Sequence, residues 1–314
     1  MSRKTILGLA AGAIILLMFP LILPRFYVYI ASVILLYGLL ATSLNLVLGY
    51  GGIFQFHHAV FYGIGAYGTT LMLTKTGLPP VLAFIAGPLL SAAFGLVLGI
   101  ICIRLSKLYF GMLQISLGSL VWAIVYRWYA LTGGDDGIHG IPMPDMISSP
   151  ASAYYCTFII TIASLFIMWK IIRSPFGSVL QGIRDNPVRS EMIGVSVRKH
   201  QLLALVIAGF FAGVAGSLFV VVNTTVFPDM LFWTFSLEII IMCLLGGWFT
   251  FLGPLLGAAV IVALRTFVSI YTEYWALVLG IIMMLVIFFL PNGILGFVKE
   301  KFSRVLPEPE TKEQ

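Results

Sequence analysis

Long apolar runs separated by short polar segments fill most of this chain. A helix needs about 20 apolar residues to cross the hydrocarbon of a bilayer. The runs divide into crossings at 5–23, 27–48, 54–73, 80–103, 109–131, 153–172, 201–226, 234–250, 254–271 and 274–290. The third and eighth are short and interrupted by glycine. No run shows the strict alternation of a barrel strand. The pattern therefore predicts an all-α, polytopic transmembrane helical bundle of about ten crossings, with short broken helices and one sizeable polar loop. The first run follows Arg3 and Lys4, as a signal peptide would. It is longer than an h-region of about 7–15 residues, and Pro24-Arg25 stands where a cleavage site would be. It is read as the first span.

The polar loop, 173–200, has internal structure. Phe176, Val179, Leu180 and Ile183 recur at the spacing of one helix face, and Arg184 and Asp185 fall off that stripe. Pro187 ends the helix, because the residue before a proline is pushed out of α geometry. A second helix can start at once, with Asn186 as N-cap, Pro187 at the first helical position and Gly194 just past its end. The loop reads as helix, corner, helix. The residues alone leave two roles open: an interfacial helix on anionic lipid, or a protein-docking surface. Asp185 and Glu191 among the arginines suit the second.

Composition strengthens the membrane assignment. Of 314 residues, 60% are hydrophobic and 10% charged, and the mean hydropathy is +1.06; soluble domains carry about 25% charged residues. The net charge of +6 is the positive-inside bias of membrane proteins. That rule places Arg3 and Lys4, Arg104 and Lys107, the 173–200 loop and the tail after Lys299 in the cytoplasm. The crossings above satisfy all of these, with both termini cytoplasmic and Asp135 and Asp136 outside. The organisation is a transmembrane domain over 1–298 and a charged tail over 299–314, expected to be solvated.

Little on the chain suggests catalysis. Cys102, Cys156 and Cys243 sit in or beside apolar runs as small hydrophobes. No phosphate-binding Gly-x4-Gly-Lys-Ser/Thr loop occurs, so ATP would have to be used on another chain. His57 and His58 are adjacent, and on a helix their rings diverge by roughly 100°, which disfavours joint metal binding. No cofactor is expected on this chain.

The two weak crossings match in position. Gly51-Gly52 through Tyr67 and Gly246-Gly247 through Ala258 are Gly-rich, each third in a set of five crossings, as in an inverted repeat lining a path. Close packing through small residues explains the glycines as well. Ionisable groups within a span cost about 2.5–3.5 kcal/mol each, so Glu238 and Arg265, in neighbouring crossings, are expected to face the interior as a pair. Asn45, Gln114 and Asn223 are suited to interhelical hydrogen bonds or to cargo contact. The candidates for a transport path are His58, Gly63, Gly65, Asn223 and Glu238. The 131–144 loop, with Gly133-Gly134 and two prolines, is expected to form an ordered outer turn suited to a soluble binding protein.

Ser174-Pro-Phe-Gly-Ser-Val-Leu-Gln-Gly-Ile-Arg184-Asp-Asn-Pro187 through Gly194 resembles the cytoplasmic loop of branched-chain amino-acid ABC importer permeases of the LivM type. Further motifs in the same order are also similar: Gly49-Tyr-Gly-Gly52, His58-Ala, Phe61 to Tyr67, Leu131 to Pro142, Ala208 to Gly216, Gly253-Pro254 and Phe289 to Gly296. The resemblance implies a permease subunit of a bacterial inner-membrane importer. Its partners would be a homologous LivH-type permease chain, two cytoplasmic ATPase subunits holding ATP and Mg, and an external solute-binding protein. It also implies that Ser174, Pro175, Phe176, Gly177, Arg184, Asp185, Asn186, Pro187 and Gly194 couple the spans to the ATPase. Two positions depart from the family pattern: His57 stands where a glycine often precedes the histidine, and Phe249 stands at a frequent glycine position. Both add bulk near the expected path, leaving a urea, short-amide or other small-solute importer as the alternative cargo class. A stand-alone secondary transporter is a different class, and it would not need the helix-corner-helix lever.

Overall fold

In a computed structural model the described residues are 19–105, 107–271, 274, 277–278, 280–282, 284 and 293–296. Most of the first and tenth crossings and the tail lie outside them. Within them the chain is helical. α1 spans Arg25–Leu48, α2 His58–Lys75, α3 Pro80–Cys102 and α4 Lys107–Arg127. A short α5 (Tyr129–Thr132) precedes α6 (Pro150–Ile172), α7 (Pro175–Asp185) and α8 (Pro187–Met192). α9 (Val197–Asn223), α10 (Trp233–Gly246) and α11 (Gly253–Tyr271) follow.

Six of these helices are long and apolar enough to cross a membrane. α2 is not among them, and α10 is a shorter apolar helix. They are the two crossings read as weak from their glycines. The breaks differ in place from the expectation. The glycines do not interrupt the interiors of those helices; they form turns between α1 and α2 and between α10 and α11, with Gly52 at φ +67° and Gly247 at φ +108°. The fifth crossing also ends earlier than expected: Trp128 leaves helical geometry, and α5 closes on Gly133 in the left-handed region.

Local chemistry sets the helix starts. Three of them pair a capping residue with proline at the first helical position, where its missing N–H costs nothing. These are Ser149-Pro150, Ser174-Pro175 and Asn186-Pro187. The Ser149 hydroxyl accepts from the Ser152 amide at 3.1 Å, and the Asn186 side chain accepts from the Arg189 amide at 2.9 Å.

α1 and α9 form the centre, and most of their length is buried. α2, α3 and α9 pack closely through small residues, the usual route where lipid removes the hydrophobic drive between helices. A Cβ on Gly65 would run into the backbone of Gly213, and one on Gly216 into the backbone at Tyr62. The Ser91 hydroxyl lies 2.8 Å from the Phe61 carbonyl and 2.7 Å from that of Gly209, and the Thr69 and Ser217 hydroxyls meet at 2.7 Å. α3, α4 and α6 turn exposed apolar side chains outward, among them Val81, Met112 and Ile159, which suits a hydrocarbon surround.

Opposite the α7–α8 face, residues 131–144 form an ordered turn. Ile138 and His139 pair antiparallel with Val226 and Thr225, and the Ile141 amide donates to the Thr224 carbonyl at 3.1 Å.

Candidate functional site

The 173–200 loop folds as helix, corner, helix. Gly177 lies against the Ile172 carbonyl, leaving no room for a Cβ, and the Ser174 hydroxyl donates to the Ile171 carbonyl at 2.6 Å. These contacts fix the angle between α6 and α7. Leu180 and Ile183 are buried and Phe176 and Val179 half-buried, so the apolar stripe faces the bundle. Leu180 packs in a cluster with Leu46, Val47, Ile53 and Leu205, and Phe176 stacks on His200 with ring centroids 6.0 Å apart. Asn186 adopts extended geometry at the corner, and Gly194 closes α8 at φ +90°.

Arg184 also points into the bundle. Its Nη1 donates to the Gly49 carbonyl at 2.9 Å, and its Nε and Nη2 donate to Asp185 Oδ1 at 3.0 and 2.9 Å. The guanidinium lies 5.4 Å from the centre of the Phe249 ring. A Cβ on Gly52 would come within 2.7 Å of Arg184 Cγ. One side chain thus joins α7 to both Gly-rich turns. The turns also meet directly: Asn45 Nδ2 donates to the Thr250 carbonyl at 3.1 Å, and Phe54 and Trp248 have ring centroids 6.2 Å apart.

The residues expected to couple therefore divide by direction. Phe176, Gly177 and Arg184 engage the spans, while Asp185, Asn186, Pro187 and Gly194 are exposed; Ser174 and Pro175 form the joint with α6. Three apolar residues not singled out in the sequence stand exposed on or beside α8: Val188 (59%), Met192 (81%) and Ile193 (77%). A signal was available, since they are apolar residues off the stripe in an otherwise polar loop.

The residues expected along a path also separate. His58 is buried, its Nε2 2.9 Å from the Ser43 hydroxyl. A Cβ at Gly63 would strike Leu231, and Gly65 packs on Gly213. These three lie in packing contacts within the bundle. Asn223, at the end of α9, accepts from the Tyr29 hydroxyl at 2.9 Å. Glu238 lines a cavity of about 380 Å³ with Arg265, Tyr37, Tyr62, Phe219 and Phe235, and its Oε1 is 3.7 Å from Arg265 Nη1. The expected pairing is present. Among the described residues, no group of His, Cys, Asp and Glu is arranged to hold a metal ion.

On the opposite face the Asp135 carboxylate beside the Tyr129 hydroxyl raises the pKa of that tyrosine above its ordinary value.

The family model described as branched-chain amino acid transport system / permease component matches residues 26–287. The chain is 27% identical over 327 residues to the high-affinity branched-chain amino acid transport system permease protein LivM of Escherichia coli, covering 96% of this chain and 77% of that protein. A probable LivM of Methanocaldococcus jannaschii is 23% identical over 83% of the chain and 90% of its own length. A probable LivH of the same organism is 24% identical over 49% of the chain and 51% of its own length. No solved structure gives a significant match.

Proposed function

The chain belongs to the branched-chain amino acid transport permease family, and from that premise we propose that it is the permease subunit of an ABC importer carrying branched-chain amino acids across the membrane. A homologous permease of the LivH type is its partner in the membrane. ATP hydrolysis takes place on two cytoplasmic ATPase subunits, and an external binding protein presents the solute. In this reading the termini and the α7–α8 face are cytoplasmic, as the distribution of Lys and Arg supports.

The observation that carries the coupling role is the two-sided loop. α7 turns its apolar stripe and Arg184 into the bundle, while α8 holds Val188, Met192 and Ile193 out in a polar setting. Such exposed apolar knobs among charges suit a protein groove. α8 fits a recess on the ATPase, and α7 passes its displacement to the two Gly-rich turns.

The test is reconstitution of the four-component complex with its binding protein in proteoliposomes. Leucine uptake should require ATP, and binding protein loaded with leucine should stimulate hydrolysis. Ile193→Asp and Met192→Asp should release the ATPase from the membrane subunits while leaving the permease pair intact. Uptake running on an ion gradient without a co-purifying ATPase would overturn the importer reading. Full ATPase retention in both variants would overturn the docking assignment.

A further inference from the structure

Glu238 and Arg265 hold opposite charges in the wall of a cavity formed by α10, by the segment 227–230 before it, and by single residues of α1, α2, α9 and α11. Their 3.7 Å separation is longer than the about 2.7–2.9 Å of a hydrogen-bonded charge pair. Glu238 Oε1 is buried and accepts no hydrogen bond among the described residues. A carboxylate oxygen left in that condition within an apolar span is costly, and it marks a position that a donor from outside would satisfy. Arg265 is half exposed, so its guanidinium can be reached from the cavity.

The rest of the wall is aromatic. Tyr37 and Phe235 have ring centroids 5.7 Å apart, Tyr62 and Phe235 5.5 Å, and Tyr62 and Phe219 5.9 Å. This is a continuous aromatic surface beside Glu238 and Arg265, with the exposed Asp229 also on the wall. The volume of about 380 Å³ lies near the lower end of the range for small-molecule sites, about 300–1,000 Å³, and suits a ligand of amino-acid size.

We propose that this cavity is a recognition site for a free amino acid, holding its ammonium group on Glu238, its carboxylate on Arg265 and its apolar side chain against the Tyr37–Phe235–Tyr62 wall. The proposal rests on the reading of the chain as an amino-acid permease and adds the site within it. The chemistry is an exchange of partners. A zwitterion inserted between the two residues replaces one ion pair by two, and the net charge of the cavity, which Asp229 also lines, is the same full or empty. When the ligand leaves, Glu238 and Arg265 pair again, so neither charge is stranded and release is not blocked. A transport site has to let go of what it binds, and a self-closing pair permits that.

The test uses the full chain with its partner permease in nanodiscs. Thr234→Cys places a thiol on the exposed part of the cavity wall, in a background where Cys156→Ser removes the half-buried native thiol. Labelling by an impermeant maleimide is timed with millimolar leucine, leucinamide, 4-methylpentanoate or choline. Leucine should slow labelling several-fold, and the other three should not. Glu238→Gln and Arg265→Gln should each abolish the protection while the unliganded labelling rate is retained, which shows that the cavity still forms. The site is overturned by equal protection from leucinamide or 4-methylpentanoate, by protection from choline, by undiminished protection in both variants, or by no protection from leucine. ATP-dependent leucine uptake by the parent complex is measured alongside. Uptake without protection removes the site and leaves the permease reading; an absence of uptake removes the permease reading.

Discussion

Arg184→Ala should loosen α7 from the bundle without unfolding the spans. Three contacts are lost. The hydrogen bond from the guanidinium to the Gly49 carbonyl is charge-assisted and contributes about 1.5–3 kcal/mol. The contact with the Phe249 ring adds about 0.5–1 kcal/mol at a partly exposed site. The pair with Asp185 adds little, since the Asp185 side chain is 69% exposed and such pairs contribute about 0–1 kcal/mol. A conservative total is about 2 kcal/mol, which raises the open population of the loop about 30-fold. Hydrogen exchange of the 176–186 amides reads that population directly when closing is faster than exchange. Arg184→Ala should therefore speed exchange about 30-fold in that segment and leave the α9 amides unchanged. Asp185→Asn is the control, and its smaller term limits it to less than about 5-fold. In reconstituted complexes the alanine variant should keep ATP hydrolysis and lose transported leucine per ATP. Equal exchange in the two variants would refute the latch between α7 and the Gly-rich turns.

Gly52→Ala should mimic Arg184→Ala, because φ +67° is strained for alanine and the new Cβ displaces the Arg184 stem. About 1–2 kcal/mol of backbone strain is expected, and the double variant should be no worse than the larger single effect, measured by the same exchange. Asn186→Ala removes the cap on the Arg189 amide and should cost α8 about 1 kcal/mol, seen as faster exchange over 187–192 with α7 protection kept. On the opposite face, Asp135→Asn should lower the Tyr129 pKa towards the usual tyrosine value, followed by ultraviolet difference titration of the phenolate. The raised native pKa means that this contact stabilises the fold at neutral pH and is lost as pH rises through the native Tyr129 value. Because Tyr129 is exposed, the effect on stability should be small, and identical phenolate titrations of wild type and the asparagine variant would refute the contact.

The sequence showed most clearly what neighbouring residues decide. Asn186-Pro187 and Gly194 specify a corner and a stop by their own backbone preferences, and the structure has both. The apolar runs gave the helices for the same reason. Arg184 shows the limit. Its position off the Phe176–Ile183 stripe implied exposure, yet its partners Gly49 and Phe249 lie far along the chain, and only the packed bundle brings them to it. Gly63 and Gly65 show a second limit: a glycine that lets a ligand approach and one that lets neighbouring chain approach have the same sequence signature, and here Gly65 meets α9 and Gly63 the Leu231 side chain. The cavity wall was the least legible part. Tyr37, Tyr62, Phe219 and Phe235 come from four helices, and each alone is an ordinary apolar position. Glu238 and Arg265 stood out because charge within a span is costly wherever the neighbours are.

The cavity and the latch share two helices, the latch at their ends and the cavity further along them, which gives the proposed coupling a mechanical route. α10 carries Glu238 near its start and Gly246 at its end, about 12 Å apart along the axis at 1.5 Å per residue. α1 carries Tyr37 in the cavity wall, about 18 Å by the same measure from Gly49, whose carbonyl Arg184 holds. Helices transmit displacement because their internal hydrogen bonds resist bending, and both helices end at the glycine turns at 49–52 and 246–247 that Arg184 and Asn45 tie together. A push on α7 therefore reaches two stiff rods at their ends rather than at their centres. Tilting α10 about Gly247 moves Glu238 relative to Arg265 on α11, the change that would open or close their pair. Because α10 is short, at about 21 Å, the same tilt displaces its far end less than it would that of a full-length span. The charge pair, 3.7 Å apart, would thus shift on the scale of ångströms, the scale on which an ion pair exchanges partners.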